Sequence, residues 1–328
     1  MRILSRPMSE GEPAVAPEQY RIASIERLRI LAILGIVWFH TENATGRSVG
    51  YAGLPAFVMI FCALSARKSR PEDIGPFAKK KAKRLLMPWL FWGVVYAGCK
   101  LLKQSLYGLD LSESFTAQMF LAGPKIHLWY LPFAFAAGLI VNLLHRCTRH
   151  ISSPVTILSG ILVGGLLLFF CSMITPSITA PSIQWHFPVP QWIFALPAVP
   201  LGFCVGRVFC SFRNQVRMQR LFYLGIVLVV EAVCLLLLCL GSRYLVIPYG
   251  IAVVLVCAAF LGKTRCSAPL RKFASLAYGI YLIHPLVASM LRVAGMETMN
   301  PLATLAILFL VSSVVTLILQ ETPLRRFV

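Results

Sequence analysis

The stretch Glu26-Arg-Leu-Arg-Ile-Leu-Ala-Ile-Leu-Gly-Ile-Val-Trp-Phe-His-Thr-Glu42 places ionisable groups at both ends of an otherwise apolar run. Read as an α-helix, at about 100° and about 1.5 Å per residue, the eleven-residue step from Arg29 to His40 leaves only about 20° of rotation and roughly 16 Å of rise. Both side chains therefore share one face at different depths. At the centre of a membrane helix an arginine costs about 2.5–3.5 kcal/mol, and charged groups inside a span face the bundle interior or water, so this face is expected to line a protein interior or a wet cavity. It is a candidate functional wall.

The rest of the chain fits that reading. Of its 328 residues 58% are hydrophobic and only 13% charged, against roughly 25% charged in an ordinary soluble domain. This is the composition of a membrane protein, surrounded by lipid. The net charge of +19 would suit a nucleic-acid binder only as a basic face on a soluble fold. Here the charges sit between apolar runs, so no nucleic-acid partner is expected. The ten cysteines are scattered, with no Cys-x-x-Cys pair and no His/Cys cluster at metal-ligand spacing, and read as packing residues without a metal site. Residues 1–24 are polar, and no small-residue cleavage site follows them, which predicts a cytoplasmic tail rather than a removable signal peptide.

Stretches of about 20 apolar residues predict ten spans, at 25–44, 51–66, 85–103, 127–145, 155–175, 190–210, 221–240, 244–262, 273–294 and 301–320. With the N-terminus inside, the cytoplasmic segments hold 25 of the 31 lysines and arginines; Arg47, Lys100, Lys103, Lys125, Arg243 and Arg292 remain outside. Such an asymmetry is what the positive-inside rule demands. The expected fold is an all-α polytopic bundle of about ten transmembrane helices with both termini cytoplasmic, residues 25–328 forming one domain. The longest outer loops, 104–126 and 176–189, are too small to be domains, so any chemistry is done within or at the edges of the bundle.

His40 lies thirteen residues past Arg27, and His284 twelve past Lys272. On straight helices both imidazoles fall roughly 18–20 Å from the inner edge of a core about 30 Å thick, and so at similar depth in the outer half. His127 opens the fourth span from the outside and His186 lies in an outer loop. His40, with Glu42 close by and Arg29 on its own face, fits a general base in a charged cavity. Glu231, mid-span in the seventh helix, is a second buried acid, suited to function or to a structural hydrogen bond. The run Phe77-Ala-Lys-Lys-Lys-Ala-Lys-Arg-Leu-Leu-Met-Pro-Trp-Leu-Phe-Trp92 reads equally as a topogenic cluster with an aromatic belt and as a phosphate dock built on Lys81, Lys83 and Arg84.

Taken together these segments resemble the integral-membrane acyltransferase 3 family, from Ile25 to the end of the chain. Arg29 and His40 match its arginine, ten residues, histidine signature. Gly53-Leu-Pro-Ala-Phe-Val-Met-Ile-Phe-Cys-Ala-Leu-Ser65 looks like its second-helix segment, with Ala66 in place of the usual glycine. Lys83-Arg84-Leu-Leu-Met-Pro88 is similar to its basic approach to the third helix. His127-Leu-Trp-Tyr-Leu-Pro132 and Ala277-Tyr-Gly-Ile-Tyr-Leu-Ile-His-Pro285 look like two further motifs, and the terminal Glu321-Thr-Pro-Leu-Arg325 fits as well. Glu26 stands where an aspartate is common.

The resemblance implies transfer of an acyl group, usually acetyl, from cytoplasmic acyl-coenzyme A, as cosubstrate, to a hydroxyl of an envelope polysaccharide or a lipid-linked sugar, at a bacterial inner membrane. No bound cofactor is implied. His40, Arg29 and Glu42 become the catalytic candidates, with Glu42 orienting or charge-tuning the imidazole. Arg84, Lys83, Lys81 and Ser65 become the donor-binding candidates. His127, Trp129, Tyr281, His284 and Glu231 are the candidates for an acceptor site or cavity wall. Direct activation of the acceptor hydroxyl by His40 and a covalent acyl-enzyme on His40 or Ser65 are both compatible with the sequence. The alternative is a transporter or flippase in which Arg29, His40 and Glu231 line a pathway without bond chemistry.

Overall fold

A computed structural model of the chain describes residues 21–67, 71–107, 119–179, 187–211, 216–241, 243–296 and 299–328. The expected tail up to residue 20, the middle of both long outer loops and His186 fall outside these residues. The fold is an all-α membrane bundle. In order the helices are α1 (Ala23–His40), α2 (Arg47–Gly50), α3 (Gly53–Ala66), α4 (Ile74–Tyr107), α5 (Met119–Ala122), α6 (Tyr130–Cys147, entered by a 3-10 turn at Ile126–Trp129), α7 (Ser153–Thr179), α8 (Val189–Ala195) and α9 (Ala198–Ser211). They continue with α10 (Val216–Cys239), α11 (Arg243–Leu261), α12 (Ala268–Ser275), α13 (Ala277–Val293) and α14 (Pro301–Gln320), and a 3-10 turn at Pro323–Phe327 closes the chain.

Seven of the helical segments are long and apolar enough to cross a membrane, or eight if α12 and α13, bent by 41° where they meet, are one span. Among the described residues the two other expected spans are α1 and the apolar stretch Leu245–Leu261 of α11. Helix α11 is 19 residues long as a whole, and α1 falls short because three of its 18 residues are Glu26, Arg27 and Arg29. Helix α1 tolerates those charges because it is central, packing against α2, α3, α11, α12, α13 and α14, so little of it needs to suit lipid. Its start is pinned by backbone hydrogen bonds from Ala23 to Thr264 and from Cys266 to Arg21, both 3.0 Å.

Three expected boundaries shift. The basic run before the third span is helical, since α4 begins at Ile74, with Pro76 in its first turn where a missing N–H costs nothing. The proline-rich sixth span divides into α8 and α9 around Leu196 and Pro197. The bend at Leu276 means that His284 cannot be placed by counting along a straight helix from Lys272.

The most extensive contact between helices joins α9 to α3. Gly202 and Gly206, four apart, put two side-chain-free positions on one face of α9, directly over the α3 backbone at Met59 and Ala63. A Cβ on Gly202 would stand 2.6 Å from the Met59 carbonyl oxygen, and backbone cannot retreat as a flexible side chain can. Gly202→Val is therefore expected to cost at least about 1–3 kcal/mol, seen as a lowered melting temperature in detergent. An unchanged melting temperature would mean that the helices are not in register here.

The buried apolar residues form two clusters, one built largely from α3, α6, α7, α9, α10 and α11 and the other from α1, α4, α13 and α14 with the turn before α6. The second cluster holds the groups described next.

Candidate active site

His40 is the last residue of α1, and the turn that follows is well anchored. Thr41 donates its amide to the Trp38 carbonyl (3.1 Å) and its hydroxyl to the Val37 carbonyl (3.0 Å). Arg47 Nε donates to the Phe39 carbonyl at 2.9 Å, and Trp38 Nε1 to that of Thr45 at 3.0 Å. Asn43, at φ 56°, supplies the left-handed conformation that asparagine tolerates better than most residues. The helix end, and with it the imidazole, is thus fixed from both sides.

Three histidines from three elements meet here. The ring of His284, on α13, lies 5.4 Å centre to centre from that of His40 and 5.9 Å from that of His127, in the turn before α6. Tyrosines wall them in. Tyr96 of α4 lies 5.0 Å from His127, Tyr281 lies 5.5 Å from His127 and 6.2 Å from His284, and Tyr130 lies 5.4 Å from Tyr281. Tyr96 Oη donates to the Leu282 carbonyl at 2.7 Å, and Tyr281 Oη to that of His127. Both bonds tie α13 to its neighbours across the site.

His127 and His284 are buried, whereas His40 is partly exposed and lines a pocket with Thr41, Glu42, Leu291, Arg292 and Thr304. Of the three imidazoles only that of His40 reaches this pocket. The tautomer of His284 follows from its partner. Its Nδ1 is 3.1 Å from the Ile280 carbonyl, which can only accept, so Nδ1 donates and a neutral ring carries its lone pair on Nε2. That Nε2 is buried with no partner among the described residues.

At the other end of α1, Arg29 Nη1 contacts Glu26 Oε2 at 3.0 Å, and Arg21 Nη1 lies 3.6 Å from Glu26 Oε1. Glu26 is buried, and Arg29 is held one helical turn from it. Arg29 is also within electrostatic reach of Tyr130, and Arg84 of Tyr278. Tyr278, Tyr281 and His284 follow at three-residue spacing on α13, so a line of aromatic rings leads from these cations towards His40. Lys81 Nζ lies 3.4 Å from Ser65 Oγ and over the rings of Phe61 (4.3 Å) and Phe77 (5.4 Å). Its ammonium points into the bundle because Lys81 shares a helix face with buried Phe77 and Leu85.

A family model for an acyltransferase domain matches residues 22–320, from the residue before α1 to the last residue of α14. The chain belongs to the acyltransferase 3 family. No curated protein and no solved structure matches it.

The acyltransferase gathers some of the residues singled out in its sequence and separates others. His40, His127, Tyr281 and His284 form one cluster, and Lys81 and Ser65 meet at another point. Arg29 stays on the His40 face because α1 is unbroken. Lys83 and Arg84 are exposed. Glu42 lines the pocket with His40, and its Oε1 accepts from Arg292 Nη2 at 2.7 Å, with both side chains about half exposed. Trp129 packs on Tyr130 and Phe133 in the other apolar cluster. Glu231, expected to be buried, is partly exposed on α10, which packs chiefly on α7, α9 and α11. Sequence reading passed over Tyr96, Tyr130, Lys125 and Arg292 as site residues. Lys125 and Tyr130 were detectable, two and three residues from His127, but Tyr96 and Arg292 come from helices whose pairing no local pattern reveals.

Proposed function

We propose that this acyltransferase moves an acyl group, acetyl in the simplest case, from cytoplasmic acyl-coenzyme A to a hydroxyl of an envelope glycan or its lipid-linked precursor, at the inner membrane of a bacterium. The observation that carries this reading is the arrangement along α1: cations at one end, a tyrosine-walled histidine cluster at the other, and a pocket open to His40. On the orientation expected from the charge count, Lys81, Lys83 and Arg84 attract the donor phosphates. Arg29 steers the slender acyl-bearing arm along Tyr130 and Tyr281, and the acceptor enters the His40 pocket from outside.

His40 then acts as general base. It takes the proton of the acceptor hydroxyl as the oxygen attacks the thioester carbonyl, the carbon–sulfur bond breaks, and the imidazolium returns that proton to the departing thiolate. The tyrosine wall excludes water, which would otherwise compete for the acyl group.

The test is protein reconstituted in proteoliposomes with acetyl-coenzyme A and a glycan acceptor, following thiol release and the mass of the product. Acetylated glycan with stoichiometric thiol is the expected result. Movement of glycan across the bilayer with the donor intact would establish a transporter instead. In the same assay, neutralising Lys83 and Arg84 together should raise KM for acetyl-coenzyme A severalfold at low salt and much less at high salt, because exposed charges are screened beyond a Debye length of about 8 Å at physiological salt. Insertion must be verified, since these charges also set topology. An unchanged KM in the correctly inserted variant would leave the run a topogenic signal alone.

A further inference from the structure

Six of the 31 basic residues fall on the side of the chain expected to face outward, where topology asks for none. One of the six lines the His40 pocket and two more lie within electrostatic reach of His40. Arg292 lines the pocket, Arg47 is bonded to the carbonyl of Phe39, the residue before His40, and Lys125 Nζ lies 3.3 Å from Ser289 Oγ. Ser289 is three residues before Arg292 on α13, which brings Lys125 onto the same stretch of helix surface. Burial, then the charges of Arg292 and Lys103, push the Lys125 ammonium below the usual lysine range. The pocket lining holds one carboxylate among the described residues, that of Glu42, and it already lies on Arg292. Thr304, partly exposed in the pocket lining, donates its hydroxyl to the Asn300 carbonyl and keeps lone pairs that sugar hydroxyls can use. The mouth therefore combines concentrated positive charge with a neutral hydrogen-bonding group.

We infer that the acceptor carries an oxyanion, a phosphate or a carboxylate, near the hydroxyl that is acylated, and that Arg292 and Lys125 hold this oxyanion at the mouth of the His40 pocket. The inference rests on the proposed acyl transfer only for the word acceptor. The guanidinium matches either oxyanion through paired N–H donors, and the ammonium adds a point charge. Glu42 occupies Arg292 as an internal counter-ion, so the ligand anion competes with it.

That competition gives a signed test. Protein in phosphatidylcholine nanodiscs, with excess coenzyme A to fill the donor side, is titrated with glucose and with glucose 6-phosphate. The sugar phosphate should bind at least tenfold more tightly than glucose. Arg292→Gln and Lys125→Gln should each weaken its binding and together remove most of the preference, whereas Glu42→Gln should strengthen it. A merely structural Glu42–Arg292 pair would not give opposite signs. Adding phosphatidylglycerol separates the sources of the oxyanion: if it displaces the sugar phosphate the site takes a lipid-borne phosphate, and if it does not the site takes the sugar's own. Equal binding of the two sugars, or a preference untouched by all three variants, would overturn the inference. Binding is read here without turnover, so binding retained in a protein that transfers no acyl group would defeat the proposed reaction and leave the oxyanion site standing.

Discussion

His40→Ala should lower acyl transfer by about 10²–10⁴-fold, the range seen when one positioned acid–base group is removed, while the protein still inserts and melts normally. The structure makes this a clean substitution. His40 ends α1, is partly exposed at a pocket and packs edge-on to Phe39 at 5.2 Å, so its truncation opens no sealed cavity. Thr41 and Arg47 hold the helix end through backbone carbonyls that the substitution leaves in place. The loss should appear in kcat, with KM for the donor little changed, because Arg29 and the Lys81–Arg84 run lie at the other end of the route. The same substitution at His284 would be ambiguous, since that ring is fully buried and removing it also removes packing. Wild-type kcat in correctly inserted His40→Ala protein would take the proton transfer away from this residue, and His284 and Ser65 would be examined next.

How much of this was legible in the sequence depended on the range of the contact. The shared face of Arg29 and His40 was legible because it needs only an unbroken helix, and α1 is unbroken. Each of the ten expected apolar stretches contains a helix that runs most of its length or, in the sixth, is broken at a proline-rich point, because lipid enforces hydropathy residue by residue; among the described residues seven or eight segments are long and apolar enough to cross a membrane. The position of His284 was only half legible. Its depth was argued on a straight helix that in fact bends at Leu276, yet it does meet His40, since α13 docks directly on α1. The partner of Glu42 was not legible, because Arg292 is 250 residues away. The partner of Arg29 was at hand at Glu26, three residues back, the distance at which helical side chains meet. It was hidden because Glu26 was read as a family departure rather than as a counter-ion.

That ion pair sharpens what Arg29 should do. Neutralising it is expected to lower kcat by on the order of 10²-fold, the scale on which a displacement of about 1 Å is felt in a positioned reaction. The effect should persist at high salt, unlike that of the exposed run on α4, because the Arg29 side chain is only 21% exposed and its partner Glu26 is 6% exposed. Arg29→Ala removes both the charge and the group that satisfies a buried carboxylate, so part of any loss would be stability rather than catalysis. The paired variant Arg29→Gln with Glu26→Gln separates the two, since it leaves no buried charge unpaired. If Arg29 steers the donor, the double variant regains melting temperature but not kcat. Arg29→Lys should then restore only part of the turnover, because a single ammonium cannot hold Glu26 and a donor oxygen in the fixed fork that a guanidinium offers. Recovery of kcat in the double variant would mean that Arg29 serves only to neutralise Glu26, and the donor would have to be guided by the Tyr130 and Tyr281 wall alone.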